Sequence, residues 1–101
     1  MPKNTINYDE YVEDRFAKDD AFLKACLDSA FKSYEKDQEI SYLLDTLKQA
    51  AKVRGFSNLA RETGLSRQHL YEIFSKNGNP TIKVFNEILH VFGYKLSFKS
   101  F

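Results

Sequence analysis

The stretch "SRQHLYE" (Ser66–Glu72) places Arg67, Gln68, Tyr71 and Glu72 directly behind a serine. These are the side-chain types that read base-pair edges. Arginine can pair bidentately with guanine and glutamine with adenine, while glutamate can accept from cytosine. A glutamate in that position can also repel phosphate and so sharpen the choice of site. Ser66, and Ser57 further upstream, are placed to begin helices, where free backbone N–H groups bind phosphate. Arg61, and Lys76, Asn77 and Asn79 in the loop that follows, are further candidates for phosphate contact, with Lys83 beyond them.

Other chemistry is poorly provided for. His69 and His90 stand twenty-one positions apart with no clustered partner. The chain carries no nucleophile–base pair, no glycine-rich phosphate loop, no cofactor motif and no metal-ligand spacing. The acid pairs Asp9-Glu10, Glu13-Asp14 and Asp19-Asp20 suit a solvated face and helix N-terminal charge better than general acid–base work. Cys26 occupies a core slot in its helix and is expected to be a buried small hydrophobe. The pattern therefore speaks against an enzyme.

A groove reader must hold those side chains on a short helix braced by another. In a helix-turn-helix, two short helices meet at a tight turn that often contains glycine, and the start of the second enters the major groove. Residues 58–75, "NLARETGLSRQHLYEIFS", meet each demand. Ala60 is small where the helices cross, and Gly64 tolerates positive φ in the turn. Leu59, Leu65, Leu70, Ile73 and Phe74 supply the inner faces. Small and apolar residues at these offsets also occur in any tight corner of two helices, so on the residues alone both readings stand.

Periodicity places further helices around this corner. Tyr8, Tyr11, Val12 and Phe16 share one helical face, and Asp19 or Asp20 can cap the helix that follows. Leu23, Cys26, Leu27, Ala30, Phe31 and Tyr34 mark that second helix; Ile40, Leu43, Leu44, Leu47, Ala50 and Ala51 mark a third. Arg54-Gly55 ends it, with a cation near the negative terminus and a glycine at C′. Ser57 can cap a fourth helix from Asn58, Ser66 a fifth, and Thr81 a sixth that Gly93 stops. "YKLSF" (Tyr94–Phe98) then alternates, which predicts a short strand. A lone strand needs a partner; this one could pair across a two-fold axis, add to another protein, or remain a tail.

The expected fold is therefore all-α, with six helices and one short C-terminal β-strand in a single domain over residues 1–101. Residues 7–38 would form an N-terminal helical extension, 39–93 the helix-turn-helix bundle and 94–98 the strand. A length of 101 residues suits one domain, and 43% hydrophobic with 29% charged residues is a folding composition rather than a disordered one. One cysteine excludes an intrachain disulfide and a cysteine-built zinc site. The polar opening Met1-Pro2-Lys3-Asn4 lacks a signal peptide's apolar segment, and no apolar run approaches the ~20 residues of a membrane span. Together these predict a reduced, cytoplasmic protein with no membrane association.

The net charge of +1 hides an asymmetry: residues 1–45 carry six Lys/Arg and eleven Asp/Glu, whereas residues 46–101 carry nine Lys/Arg and three Asp/Glu. A cationic half suits a polyanion such as double-stranded DNA, and the opposed signs suggest two different partners.

From Leu59 to Phe98, "LARETGLSRQHLYEIFS…GNPTIKVFNEILHVFGYKLSF", the chain resembles the probable addiction-module antidote proteins, antitoxins with a Cro/cI-type (XRE) helix-turn-helix. The family's run Ala-Arg-x-Thr-Gly-Leu-Ser-Arg-x-x-Leu-Tyr is matched by Ala60, Arg61, Thr63, Gly64, Leu65, Ser66, Arg67, Leu70 and Tyr71. Its loop Gly-Asn-Pro is matched by Gly78-Asn79-Pro80, and its ending by Phe92-Gly93-Tyr94-Lys95-Leu96. Ile6–Phe31 and Leu47–Ala60 follow the family more loosely. Phe74-Ser75-Lys76-Asn77 and the tail Lys99-Ser100-Phe101 depart from it.

The resemblance implies a lambda-repressor-like helix-turn-helix bundle in a type II toxin–antitoxin antidote. Such a protein neutralises a small toxin, commonly of the RelE superfamily, by direct binding, and represses its own operon as a dimer. Arg67 and Gln68 carry over as base readers and Tyr71 as a groove or phosphate contact. For the homodimer, the residues themselves offer the outer edge of helix six (Val84, Ile88, Val91) and the strand residues Tyr94, Leu96 and Phe98. Two other readings stay open: a helix-turn-helix transcriptional regulator without a toxin partner, and a pure protein-interaction module.

Overall fold

A computed structural model describes residues 8–75 and 77–101 of the chain, and every structural statement below concerns them. Among the described residues the regular structure is six helices: α1 (Tyr8–Lys18), α2 (Asp20–Asp37), α3 (Ile40–Arg54), α4 (Phe56–Thr63), α5 (Arg67–Ile73) and α6 (Ile82–Val91). Contacts divide the chain into two units, one ending at Gly55 and the other running Phe56–Phe101. The division groups α3 with α1 and α2.

In the first unit α3 packs against both α1 and α2. The spacing that predicts these helices also selects the residues they bury. Val12 and Phe16 on α1, Leu27 and Ala30 on α2, and Leu43, Leu44, Leu47, Ala50 and Ala51 on α3 are all buried. Each buried Leu or Phe is worth roughly 1.5–3 kcal/mol relative to exposure. Tyr8, Tyr11 and Ile40, at the ends of their stripes, stay exposed. Thr46 and Gln49 widen the buried face of α3, and the Thr46 hydroxyl donates to the Tyr42 carbonyl at 2.9 Å, so its burial leaves no donor unmet.

Of the two candidates, Asp19 and Asp20, it is Asp19 that caps α2: its carboxylate accepts from the Phe22 N–H at 3.0 Å. That hydrogen bond first, and the Arg15 guanidinium at 3.3 Å second, hold the carboxyl below the usual carboxylate range. Arg15 also lies over the Phe22 ring, 4.1 Å from its centroid, so one cation ties the end of α1 to the start of α2. The polar segment Glu35-Lys36-Asp37 continues α2, and Gln38 makes the break with a left-handed φ of 61°. Cys26 is half-buried rather than buried, and desolvation pushes its thiol up.

In the second unit α4 packs against both α5 and α6. Leu59, Leu70, Ile73, Phe74, Ile88 and Leu89 are buried there, three of them completely: Leu59, Leu70 and Ile88 at 0% exposure. Ile88 therefore leaves the expected dimer surface, because its side chain is spent on the protein's own interior. Thr81 caps α6 as predicted, accepting from the Val84 N–H at 3.2 Å.

The expected strand at 94–98 is absent: residues 94–101 form no ladder. The alternation that suggests it has another outlet. Tyr94 and Leu96 are half-buried, Lys95 and Ser97 are exposed, and Phe98 is 85% exposed. A ladder needs a second strand, and the described chain supplies none. The backbone turns to α6 for partners: Tyr94 N–H donates to the Leu89 carbonyl at 3.0 Å and Leu96 N–H to the Asn86 side-chain oxygen at 3.3 Å.

Candidate nucleic-acid interface

Around Gly64 the chain forms α4, a turn through Gly64-Leu65-Ser66, then α5. Gly64 adopts φ 78°, the conformation for which the glycine was singled out. Thr63 closes the turn from the other side. Its hydroxyl donates to the Leu59 carbonyl at 2.8 Å and accepts from the Leu65 N–H at 3.2 Å. Ser66 then caps α5, accepting from the His69 N–H at 3.0 Å. With both ends of the turn satisfied, the direction in which α5 leaves it is set by hydrogen bonds rather than by packing alone.

That direction decides which side chains face out. Leu70 and Ile73 are buried, so at ~100° per residue Arg67, Tyr71, Gln68 and Glu72 occupy an arc of about 140° on the opposite side. All four are exposed. Sequence-predicted base readers thus share one solvent-facing surface, carried by a helix whose back is fixed. Their types leave the arc with one permanent cation (Arg67), one carboxylate (Glu72) and two neutral hydrogen-bonding side chains (Gln68 and Tyr71).

The predicted phosphate contacts are less uniform. Arg61 is exposed and donates to the Asn58 side-chain oxygen at 2.6 Å. Ser57 does not cap α4: the helix begins one residue earlier, at Phe56, which leaves Ser57 exposed within its first turn. Gly55, the single residue between α3 and α4, takes φ 96°. Ser66 spends its side-chain oxygen on the cap of α5. Asn77 and Asn79 are exposed; Lys76 lies outside the described residues.

Between α5 and the start of α6 the loop borders an open depression of about 360 Å3, lined among others by His69, Glu72, Asn77, Asn79 and Thr81. The loop is held close to α5. Gly78 N–H donates to the Ser75 carbonyl at 2.9 Å, and a Cβ on Gly78 would run into the backbone carbonyl of Ile73. Glycine is needed here for close approach, not for positive φ.

Phe56 has no place in the sequence-level site, yet it bears on it directly. Its ring lies 4.6 Å from that of Tyr71, tilted by 35°, and 6.1 Å from that of Phe74, edge-on. The Tyr71 hydroxyl in turn accepts from the Arg67 guanidinium at 3.4 Å. No periodicity signals a contact between the first residue of α4 and the middle of α5. Thr63 is more legible, since a threonine directly before a turn glycine is a common local hydrogen-bonding device.

Residues 11–100 match the family described as "Probable addiction module antidote protein". This chain belongs to that family. The antidote-family match takes in α1 from its fourth residue, all the later helices and the tail alongside α6. An uncharacterized protein of Haemophilus influenzae (strain ATCC 51907 / DSM 11121 / KW20 / Rd) is 33% identical over 54 residues. The matched stretch covers 54% of the antidote-family chain and 56% of the relative, so the chain spans little more than half of that protein's length. No solved structure matches. No described helix is long and apolar enough to cross a membrane, and no group of three His, Cys, Asp or Glu among the described residues is placed to hold a metal ion.

Proposed function

We propose that this antidote-family protein is the cytoplasmic antitoxin of a type II toxin–antitoxin module, with a lambda-repressor-like (XRE) helix-turn-helix that binds operator DNA and represses its own operon. The observation that carries the DNA reading is the exposed arc of Arg67, Gln68, Tyr71 and Glu72 on α5, opposite the buried Leu70 and Ile73. Arg67 and Gln68 are the base readers in this reading, and Glu72 limits which sequences are accepted. Arg61, Asn77 and Asn79 serve as phosphate contacts, together with backbone N–H groups near Ser57 and Ser66, and Lys76 is a further phosphate contact by its place in the sequence. The protein acts as a homodimer, so that two copies of α5 reach half-sites about 34 Å apart. Val84, Val91, Tyr94, Leu96 and Phe98 remain the candidate surface for it.

The second activity is neutralisation of a small RelE-superfamily toxin by direct binding. Family membership supports it, as do the acidic balance of residues 1–45 and the exposed aromatics of the first unit, Tyr8, Tyr11 and Tyr42. Tyrosines are enriched at protein interfaces, and an acidic surface suits a basic, RNA-cleaving partner.

Each activity has its own experiment. A gel shift with the DNA upstream of the protein's own gene should show salt-sensitive binding that Arg67→Ala weakens; no shift, or one indifferent to both salt and Arg67→Ala, removes the repressor role. Co-expression with the product of the adjacent gene should restore growth; a toxin left fully active removes the antidote role.

A further inference from the structure

Arg67 and Tyr71 share the exposed arc of α5, and the simplest view is that both touch DNA. The contacts around them divide the labour differently. Tyr71 is 51% exposed, but its ring rests on Phe56, and Phe56 meets Phe74, which is only 6% exposed. The three rings form a column rooted in the interior of the second unit and ending at the surface. Aromatic pairs at such separations have preferred geometries, and each ring has only two side-chain torsions to fix. The Tyr71 hydroxyl at the outer end is therefore a stationary acceptor. Arg67, one helical turn earlier, donates to it at 3.4 Å. An unrestrained arginine loses its rotamer freedom when it is immobilised on a base. A guanidinium already held on the outward face gives up part of that freedom before DNA arrives.

We infer that Tyr71 and Phe56 are positioning residues: the Phe74–Phe56–Tyr71 column pre-orders the Arg67 guanidinium for base recognition. Specificity at Arg67 then depends on Phe56, a residue of α4 that is not part of the reading arc. The inference rests on the DNA-reading role of α5 proposed above, and its test has one arm that needs no DNA.

In the free protein, side-chain 15N relaxation of Arg67 Nε should show restricted motion in the wild type. That restriction should be released in Tyr71→Phe, which keeps the ring stack but removes the acceptor, and in Phe56→Leu. Equal Arg67 mobility in the wild type and Tyr71→Phe overturns the inference whatever DNA does. The second arm measures binding of wild type, Tyr71→Phe, Arg67→Ala and the double variant to promoter DNA and to scrambled DNA of equal length. Tyr71→Phe should lose about fivefold on promoter DNA, the order of one hydrogen bond. Its loss on scrambled DNA should be clearly smaller than on promoter DNA, and the melting temperature should stay within a degree or so of the wild type. In the Arg67→Ala background it should have no further effect, because its action passes through Arg67. An equal loss in both backgrounds makes Tyr71 an independent DNA contact and overturns the inference, as does no loss in either. A wild type that does not distinguish promoter from scrambled DNA refutes the reading role of α5 itself, an outcome separate from the relaxation arm.

Discussion

Gly64 and Gly78 flank α5 and predict opposite responses to the same substitution, Gly→Ala. At Gly64, φ is 78° and an added Cβ would meet nothing within 4 Å. The cost is conformational alone: about 1–2 kcal/mol for a left-handed L-residue. Reduced freedom of the unfolded chain offsets roughly 0.4–1 kcal/mol of it. A net loss near 1 kcal/mol lowers Tm by about 4–8 °C in a domain of this size. At Gly78 the added carbon would collide with the Ile73 carbonyl oxygen and stand 2.6 Å from its carbon and 3.0 Å from the Glu72 oxygen. Backbone cannot rotate away as a side chain can, so the loop must lift. Lifting it breaks the Gly78 N–H to Ser75 hydrogen bond, about 1 kcal/mol, and adds overpacking strain of roughly 1–3 kcal/mol. Gly78→Ala should therefore cost about 2–4 kcal/mol, at least twice the loss at Gly64. Thermal and urea unfolding followed by circular dichroism measure both variants side by side. A Gly78→Ala protein as stable as Gly64→Ala would refute the close approach of the loop to α5.

Other consequences are more local. Leu70→Ala, at a position with 0% exposure, should cost roughly 2–5 kcal/mol in urea unfolding, because it removes the inner face of α5 and leaves a cavity. Ser66→Ala should cost about 1 kcal/mol by losing the cap on the His69 N–H, whereas Ser57→Ala should be near neutral because Ser57 caps nothing. Asp19 carries a pH signature: its folded carboxyl is held below the unfolded value, first by the Phe22 N–H and second by Arg15. The stability it adds through its charge is complete above the usual carboxylate range and lost as pH falls through the folded value. Asp19→Asn keeps a capping side chain, so its stability deficit against wild type should be constant at neutral pH and shrink below about pH 4. A deficit independent of pH would show that the charge contributes nothing.

Much of the chain was legible where local chemistry governs. Asp19, Ser66 and Thr81 cap the helices they were expected to cap, and Gly64 takes the positive φ its turn requires. These depend on a few neighbouring residues, and so does the outward arc from Arg67 to Glu72, given that Leu70 and Ile73 must face in. The misreadings arose where tertiary context overrides a local pattern. Tyr94, Leu96 and Phe98 alternate like a strand, but alternation reports only which side chains turn inward, and α6 supplies the hydrogen bonds a second strand would have given. Ile88 looked like part of an outer edge because the stripe on α6 is broad; its actual burial depends on packing within the second unit. Ser57 has no capping role because α4 already begins at Phe56. Phe56 was missed for the plainest reason: its contact with Tyr71 spans two helices and leaves no periodic trace.

In the proposed function α5 reads DNA through Arg67. Its most direct test is fluorescence anisotropy of the purified protein on promoter DNA and on scrambled DNA across a series of salt concentrations, with and without Arg67→Ala. Log affinity should fall linearly with log salt on both DNAs, with a clear preference for the promoter. Arg67→Ala should reduce that preference by about 5- to 150-fold, equivalent to 1–3 kcal/mol, while binding to scrambled DNA changes far less. Equal affinity for both DNAs, or a preference that survives Arg67→Ala intact, would contradict it.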